Sequence, residues 1–278
     1  MTTIKLALCQ MNVLDDKEEN LKKASFMINQ SIAEKADFIV LPEMFNCPYS
    51  NDKFIEYQEE ENDSPTLDLI SSLASKNNVY ILAGSIPEKE DDKLFNTSYL
   101  FDRQGKIIAK HRKMHLFDID VKDKITFKES DVLTAGNDFT IADTEFGKIG
   151  IGICYDVRFP ELARIMVEND ALILFYPGAF NMTTGPAHWE LLFKSRALDN
   201  QVFCVGVAPA LNEIASYHSY GHSIITNPWG EVIVQASEKE ELIISEIDLS
   251  EIKKVREELP LLKNKRKDLY EVIKKWLF

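Results

Sequence analysis

Residues 171–180 read ALILFYPGAF. From Ala171 to Phe175 there is neither a charge nor an alternation of period two, so a strand here is apolar on both faces and must be covered on both. A helical stretch follows, HWELLFKSRALDN (188–200), then a second apolar strand, VFCVGVAPA (202–210). A hairpin, HSIITNPWGEVIVQA (222–236), comes next and turns at Asn227–Gly230. The first half repeats this order. DFIVLPEMF (37–45) is its strand, and a helix near 64–77 stands behind the Ser64-Pro65 cap signal. VYILAGSIPE (79–88) is the next strand and TSYLFDRQGKIIAKH (97–111) the hairpin, turning at Asp102–Gly105. Each half also opens with strand then helix: IKLALCQM before a helix near 16–35, KIGIGIC before one near 160–169. Two mixed sheets packed face to face with helices outside satisfy this pattern. The expected fold is therefore α/β, a four-layer αββα sandwich with internal pseudo-symmetry. A plain doubly wound sheet has no need of an antiparallel hairpin in both halves. No linker or low-complexity stretch interrupts the chain, so residues 1–278 read as one domain.

Composition narrows the function. Apolar residues make up 45% of the 278, a globular content, and 45 Asp and Glu against 32 Lys and Arg leave a formal charge of −13. Such a surface repels phosphate backbones and acidic bilayers, so neither nucleic acid nor membrane is an expected partner. An acidic small substrate would need a local basic pocket. The apolar runs are too short to span a bilayer. The four cysteines (Cys9, Cys47, Cys154, Cys204) form no CxxC pair, and MTTIKLALCQ lacks a basic n-region and an apolar h-region; together these point to the cytoplasm. In the C-terminal KDLYEVIKKWLF, Leu269, Val272, Ile273 and Trp276 share one helical face, and segment 251–278 is expected to pack on a second subunit of a homodimer.

Glu43 closes FIVLPE as Cys154 closes IGIGIC: two strand ends, one bearing a carboxylate and one a thiol. Loops at the carboxyl ends of strands build the sites of open α/β sheets. Between the two lies a basic cluster, KHRKMHLFD (110–118). Singly, each has a plain reading: an inert core thiol, a surface charge, a solvated face. In combination they suggest chemistry. A cysteine before a turn into a helix gains thiolate character from the helix N-terminus, and an ordinary thiol of pKa ~8.5 needs a base such as Glu43 to attack at neutral pH. Burial would raise the pKa of Glu43 and a close lysine would lower it. His111 and His115, like His218 and His222, stand four apart, one metal-ligand spacing. The first pair sits among Lys110, Arg112 and Lys113, however, and no HExxH is present, so no metal is expected. GKIGIGIC contains no GxGxxG and ICYDV is not the papain signature, so no dinucleotide or other cofactor is expected either. A binding scaffold with an accidental cysteine is the alternative, separable by the reactivity of its thiol.

LPE with Glu43, HRKMHLFD with Lys113 and GICYDVRFPE with Cys154 resemble the nitrilase-like carbon–nitrogen hydrolases over essentially the whole chain. The resemblance implies a Glu43–Lys113–Cys154 triad, an αββα fold and dimers or larger assemblies. LPEMFNCPYS, HLFDIDVKDKITFKES, YPGAFNMTTGPAHWELLFKSRALDNQ and NPWGE further resemble the omega-amidase branch. That branch implies a small-molecule amide substrate: the terminal amide of 2-oxoglutaramate or 2-oxosuccinamate, hydrolysed to the 2-oxo diacid and ammonia through a cysteine thioester. Sister branches acting on deaminated glutathione, N-carbamoyl compounds or nitriles share the triad. The family's second glutamate falls on Glu129, which would orient Lys113 or the incoming amide, and the oxyanion would meet Lys113 and the backbone N–H of Tyr155. Tyr49, Phe180 and Thr184 are implied pocket residues. Arg158 is a further candidate for the substrate carboxylate unless Asp156 or Glu161 holds it. Residues 117–130, polar and poor in pattern, read as a lid over the pocket or as an ordinary surface loop.

Overall fold

A computed structural model describes residues 3–274. Strand β1 (Thr3–Gln10) leads to helix α1 (Lys17–Ala33), which Asp16 opens by accepting from the Glu19 N–H at 3.1 Å. Strand β2 (Phe38–Val40), helix α2 (Asn51–Glu56) and the short β3 (Glu59–Glu60) precede helix α3 (Pro65–Asn77). The cap signal operates as read: Ser64 Oγ accepts from Leu67 N–H at 3.0 Å with Pro65 in the first turn. Then come β4 (Tyr80–Glu90), β5 (Lys93–Phe101), β6 (Ile107–Arg112), β7 (Asp118–Val121) and β8 (Ile125–Lys128). The second half comprises β9 (Thr140–Thr144), β10 (Gly147–Ile151), α4 (Pro160–Glu168), β11 (Ala171–Pro177), α5 (Gly185–Asn200), β12 (Phe203–Val207), β13 (Ile224–Thr226) and β14 (Val232–Gln235). The described chain finishes with β15 (Glu241–Asp248), α6 (Ser250–Glu258) and α7 (Leu261–Asn264).

The two large sheets carry the same pairing scheme. One runs β15-β1-β2-β4-β5-β6, with β3 beside β4; the other runs β9-β10-β11-β12-β13-β14. From the first strand of each order, the pairs are antiparallel, parallel, parallel, antiparallel, antiparallel. The leading strand of the first sheet, β15, comes from the far end of the chain.

Period-two geometry sends alternate side chains of each strand to opposite faces. Leu6, Leu8, Phe38, Val40 and Leu82 of the first sheet therefore meet Ile149, Ile151, Ile173, Phe175 and Val205 of the second in one inner core. Phe38 and Phe175 stack across that interface with centroids 4.8 Å apart. The opposite face of the first sheet (Ala7, Cys9, Ile39, Ile81) is covered by Met27, Ile28, Leu67 and Ile70 of α1 and α3. That of the second (Leu174, Tyr176, Cys204) is covered by Leu162, Met166, Trp189 and Phe193 of α4 and α5. The layer order is α, β, β, α. Each fully buried large apolar side chain contributes about 1.5–3 kcal/mol. No helix among the described residues is long and apolar enough to cross a membrane.

Three elements differ from the sequence reading. The strand read at 37–45 ends at Val40, because Pro42 has no N–H for a ladder and the chain there lies directly on Gly84. A Cβ on Gly84 would stand 2.0 Å from the Pro42 carbonyl oxygen. Residues 117–130 are not pattern-poor: β7 and β8 form a hairpin whose Ile119, Val121, Ile125 and Phe127 alternate with charged and polar residues. The helical face read through Leu269, Val272 and Ile273 is absent from the described residues, and Trp276 lies outside them. After α7 the chain makes a turn in which the Leu269 and Tyr270 N–H groups donate to the Arg266 carbonyl at 2.9 and 3.2 Å, and Val272 lines clefts against Pro160, Glu161 and Leu162 of α4. A short isolated helix is unfavourable, and side-chain docking on α4 takes its place.

Candidate active site

Glu43 lies three residues beyond β2. The Met44 N–H donates to Ser85 Oγ at 3.0 Å, and Met44 has φ +51°, which turns the chain sharply after Glu43. The carboxylate is fully buried. Its Oε1 accepts from Lys113 Nζ at 2.9 Å and Asn96 Nδ2 at 2.9 Å, and its Oε2 accepts from the Ala179 N–H, in the loop after β11, at 2.7 Å. Lys113 directly follows β6 and is pinned on both sides: its N–H donates to the Asn96 carbonyl at 2.9 Å, and its own carbonyl accepts from Gly136 N–H at 2.8 Å. Besides Glu43, its buried ammonium reaches Glu129 Oε1 at 2.8 Å and Tyr49 Oη at 3.3 Å. An ammonium has three hydrogens, and here it has three acceptors. Glu129, fixed by a 3-10 turn (Glu129–Asp131), also accepts from Tyr49 Oη at 2.6 Å and from the Phe117 N–H at 2.6 Å.

Cys154 lies three residues beyond β10 and opens a 3-10 turn (Cys154–Arg158). Glu43 and Cys154 both stand beyond parallel strands, yet they are not counterparts in the repeat. β10 corresponds to β1, and the counterpart of β2 is β11, whose following loop supplies the Ala179 N–H to Glu43. Cys154 has φ +47°, a left-handed conformation that costs a residue with a Cβ about 1–2 kcal/mol. Surrounding contacts enforce it. A Cβ on Gly178 would stand 3.1 Å from Cys154 Cα, and Arg196 ties down the end of the turn through the carbonyls of Val157 (2.7 Å) and Arg158 (3.1 Å).

The electrostatics follow from burying charges together. Burial raises the pKa of Glu43 above the usual carboxylate range; Lys113 pulls it down, and the Glu129 charge pushes it up again. Burial lowers the pKa of Lys113, but Glu129 and Glu43 outweigh it, so the ammonium is held charged. The Cys154 thiol interacts with Glu43 and is pushed well up, by burial first and the Glu43 charge second, with Lys113 opposing. Cys9 is raised to about 12 by burial and Cys204 is raised the same way, but neither faces a carboxylate. Cys154 alone of the four cysteines interacts with a buried carboxylate beside an ammonium.

The remaining sequence candidates divide. Tyr49 joins the cluster, with Tyr217 (4.6 Å between centroids) and Phe127 of the hairpin (5.6 Å) against its ring. A cavity of 520 Å³ is lined by Glu43, Tyr49, Ala179 and Tyr217, together with Asp15, Lys53 and Asn212. Cys154, Lys113 and Glu129, like Arg158, Phe180 and Thr184, are not in that lining, and of the triad Glu43 alone reaches it. Arg158 is tied to neither Asp156 nor Glu161: its guanidinium lies over the rings of Phe180 (4.6 Å) and Tyr155 (5.6 Å) and donates from Nη1 to His188 Nδ1 at 3.1 Å. Burial lowers its pKa, partly offset by the nearby Cys154. Phe180 is buried edge-on against Trp189 at 5.0 Å. Thr184 precedes α5, with its N–H (2.9 Å) and hydroxyl (3.3 Å) both on Asn181 Oδ1. The Tyr155 N–H lies in the first turn after Cys154, where backbone donors have no acceptor within the turn. His111 and His115 face Asp156, and no group of three or more His, Cys, Asp or Glu among the described residues is arranged to hold a metal ion.

Sequence reasoning missed Asn96, Ala179, Tyr217 and Asp156. Asn96 is central to a strand, where an amide reads as an ordinary polar residue. Tyr217 lies in a polar loop, ASYHSY, with no strand end to mark it.

Comparison with known proteins adds lineage to this geometry. A family model described as carbon–nitrogen hydrolase matches residues 5–257. The chain is 47% identical over 272 residues to omega-amidase NIT2 of Bos taurus, covering 98% of each chain. It is 46% identical to the chloroplastic omega-amidase of Arabidopsis thaliana, covering 98% of this chain and 75% of that one. Among solved structures, Saccharomyces cerevisiae Nit3, a member of branch 10 of the nitrilase superfamily, superposes with a TM-score of 0.88 at 42% identity, covering 96% of this chain and 97% of that one. The Caenorhabditis elegans NitFhit protein superposes at 0.89 with 34% identity, covering 98% of this chain and 67% of its own. With the family model spanning nearly the whole sequence and such relatives matching it from end to end, the chain belongs to the carbon–nitrogen hydrolase family.

Proposed function

We propose that the protein is an omega-amidase that hydrolyses the terminal amide of 2-oxo diacid monoamides, 2-oxoglutaramate and 2-oxosuccinamate, through a thioester on Cys154. The observation that carries this reading is the buried Lys113 ammonium held between Glu43 and Glu129, beside a cysteine at φ +47°. Its near-relatives named omega-amidase narrow the substrate class.

In the first step the sulfur attacks the amide carbon. The S–C bond forms, the carbonyl pair moves onto oxygen, and the thiol proton passes to Glu43. A thiol and a carboxyl whose pKa values are both raised by burial suit this coupled transfer better than a resting thiolate. The oxyanion meets the Tyr155 N–H and Lys113. Because all three ammonium hydrogens are engaged in the free protein, the oxyanion takes the place of the longest partner, Tyr49 Oη at 3.3 Å. Each such donor contributes about 3 kcal/mol to the transition state. Glu43 then protonates the leaving nitrogen, the C–N bond breaks, and ammonia departs. Water attacks the thioester with Glu43 taking its proton; the C–S bond breaks, the acid is released, and Glu43 returns the proton to sulfur. Glu129 keeps Lys113 and Tyr49 in place throughout.

Arg158 holds the substrate carboxylate. It has rings and an imidazole, but no carboxylate, among its described partners, and lies close enough to Cys154 to feel its charge. Phe180 backs the guanidinium, Tyr49 and Tyr217 wall the cavity, and Thr184 steadies the loop through Asn181. The four cysteines are free, which suits a reducing compartment such as the cytoplasm. We further read residues 1–278 as one domain that pairs as a homodimer, with segment 251–278 and the outer face of α5 towards the partner.

The test is ammonia release from 2-oxoglutaramate beside glutamine, a simple nitrile and an N-carbamoyl amino acid, with Cys154→Ala as control. Turnover of the oxo-acid amide, lost in the variant, is expected. Preference for another substrate moves the protein to a sister branch, and turnover surviving Cys154→Ala removes the nucleophile.

A further inference from the structure

Asp156 shares the turn of Cys154, yet most of its hydrogen bonds leave that turn. The fully buried carboxylate accepts four donors. Oδ2 takes the Ile153 N–H at 2.9 Å and His111 Nε2 at 3.0 Å; Oδ1 takes the His115 N–H at 3.0 Å and His115 Nδ1 at 2.7 Å. An ionised carboxylate offers about four acceptor sites, so all are filled, and each imidazole presents an N–H to it. Burial opposes the charge, but the two imidazoles and the Ile153 N–H prevail and hold the carboxyl well below its usual range.

The positions of the donors matter more than their number. His111 stands two residues before Lys113 and His115 two residues after it, so one side chain grips the lysine-bearing segment on both sides. The same side chain binds the turn that carries Cys154. Each arm is itself held: His111 Nδ1 pairs with Thr140 Oγ1 at 3.0 Å, and His115 stacks on Phe159 with centroids 3.6 Å apart. Lys113 follows a strand of one sheet and Cys154 a strand of the other, and among the described residues no ladder joins the two sheets. Asp156 therefore supplies hydrogen bonds across the gap between the segment that carries the ammonium and the turn that carries the sulfur.

We propose that Asp156, through His111 and His115, is a positioning residue that fixes the spacing of the Lys113 ammonium and the Cys154 sulfur, so that the oxyanion forms within reach of the lysine as sulfur attacks. The proposal rests on the reading that Lys113 and Cys154 act on one carbonyl. A brace with only a structural role would lower stability and the fraction of active molecules, while each folded site turned over normally. Reactive thiols are therefore counted by iodoacetamide alkylation, and turnover is expressed per thiol. His115→Phe keeps the stack on Phe159 and loses the donor; His115→Asn restores an N–H near the Nδ1 position. The expected result for His115→Phe is a kcat per thiol lowered roughly tenfold with KM within about twofold, partly recovered in His115→Asn. Asp156→Asn is expected to lose up to about a hundredfold, and adding His115→Phe to it should cost little more. Normal kcat per thiol in His115→Phe, a loss confined to KM, or no recovery in His115→Asn overturns the proposal. The His115 pair decides the matter even where Asp156→Asn fails to fold. Cys154→Ala and Lys113→Met run alongside: activity in either sinks the underlying reading, whereas their inactivity beside a normal His115→Phe sinks the brace alone.

Discussion

Two carboxylates divide one ammonium at Lys113, and their unequal surroundings give them unequal work. Glu43 faces the thiol and has its pKa raised by burial; Glu129 is bound by Tyr49 and the Phe117 N–H as well as by Lys113. As a base, Glu43 acts as carboxylate, so activity is lost as pH falls through its raised pKa. The acid limb of kcat/KM should then lie above the ordinary carboxylate value. Glu129→Gln removes a charge that raises Glu43 and frees Lys113 to lower it further, so the acid limb should move to lower pH while kcat falls by about 10². A pH–rate profile checks the sign; a limb that stays or moves upward would falsify Glu43 as the group behind it. At this scale the sequence was informative where a chemical residue ends a strand, as at Glu43 and Cys154. It was silent where the contact is made across the fold. Asn96 lies 53 residues from Glu43 and donates to it from mid-strand, and the Ala179 N–H is a backbone group no side-chain motif records.

Among the elements, the β7–β8 hairpin bears most directly on the site. Phe127 lies against Tyr49 and Tyr217, and Phe117, just before β7, meets Tyr155, so the hairpin backs the tyrosines that wall the cavity. The alternation of Ile119, Val121, Ile125 and Phe127 was present in the sequence, but the interleaved Asp and Lys residues and the turn at Asp123 (φ +60°) made it read as loop. Phe127→Ala removes ring contacts to both tyrosines. It should raise KM several-fold and speed tryptic cleavage at Lys122 or Lys124, with product protecting the wild type more than the variant. Equal cleavage with and without product would show that the hairpin does not cover bound ligand. The shortened β2 has a simpler origin, since the absence of a Cβ at Gly84 is what lets the Leu41-Pro42 backbone pass and deliver Glu43 inward.

Across the whole molecule, the repeated order of strands, helices and hairpins predicted both sheets, and the shared pairing scheme explains why: each half solves the same covering problem. The predicted C-terminal helical face did not form among the described residues, because apolar spacing does not specify helix when the segment is short and a cleft is available on α4. The outer side of α5 exposes apolar side chains, Leu191 at 63% and Leu198 at 39%, with Trp229 (46%) nearby, among the charged Glu190, Lys194 and Asp199. On the dimer reading these residues meet a partner, and Leu191→Arg should convert a sedimenting dimer to monomer. A wild-type protein that sediments as monomer at micromolar concentration rejects that reading.

β1 lies between β2 and β15, and β15 pairs with all eight of its residues. Thr3–Gln10 leave the ribosome well before Glu241–Asp248, so until the later strand emerges the first sheet has a raw edge and an unfilled flank. The amino-terminal half cannot mature as its codons are read; it must wait, compact but open, for a strand translated more than two hundred residues later. Its hazard is therefore one of timing: a nascent chain stalled before residue 241 leaves the β1 edge without the strand that covers it, open to pairing with its neighbours on the polysome.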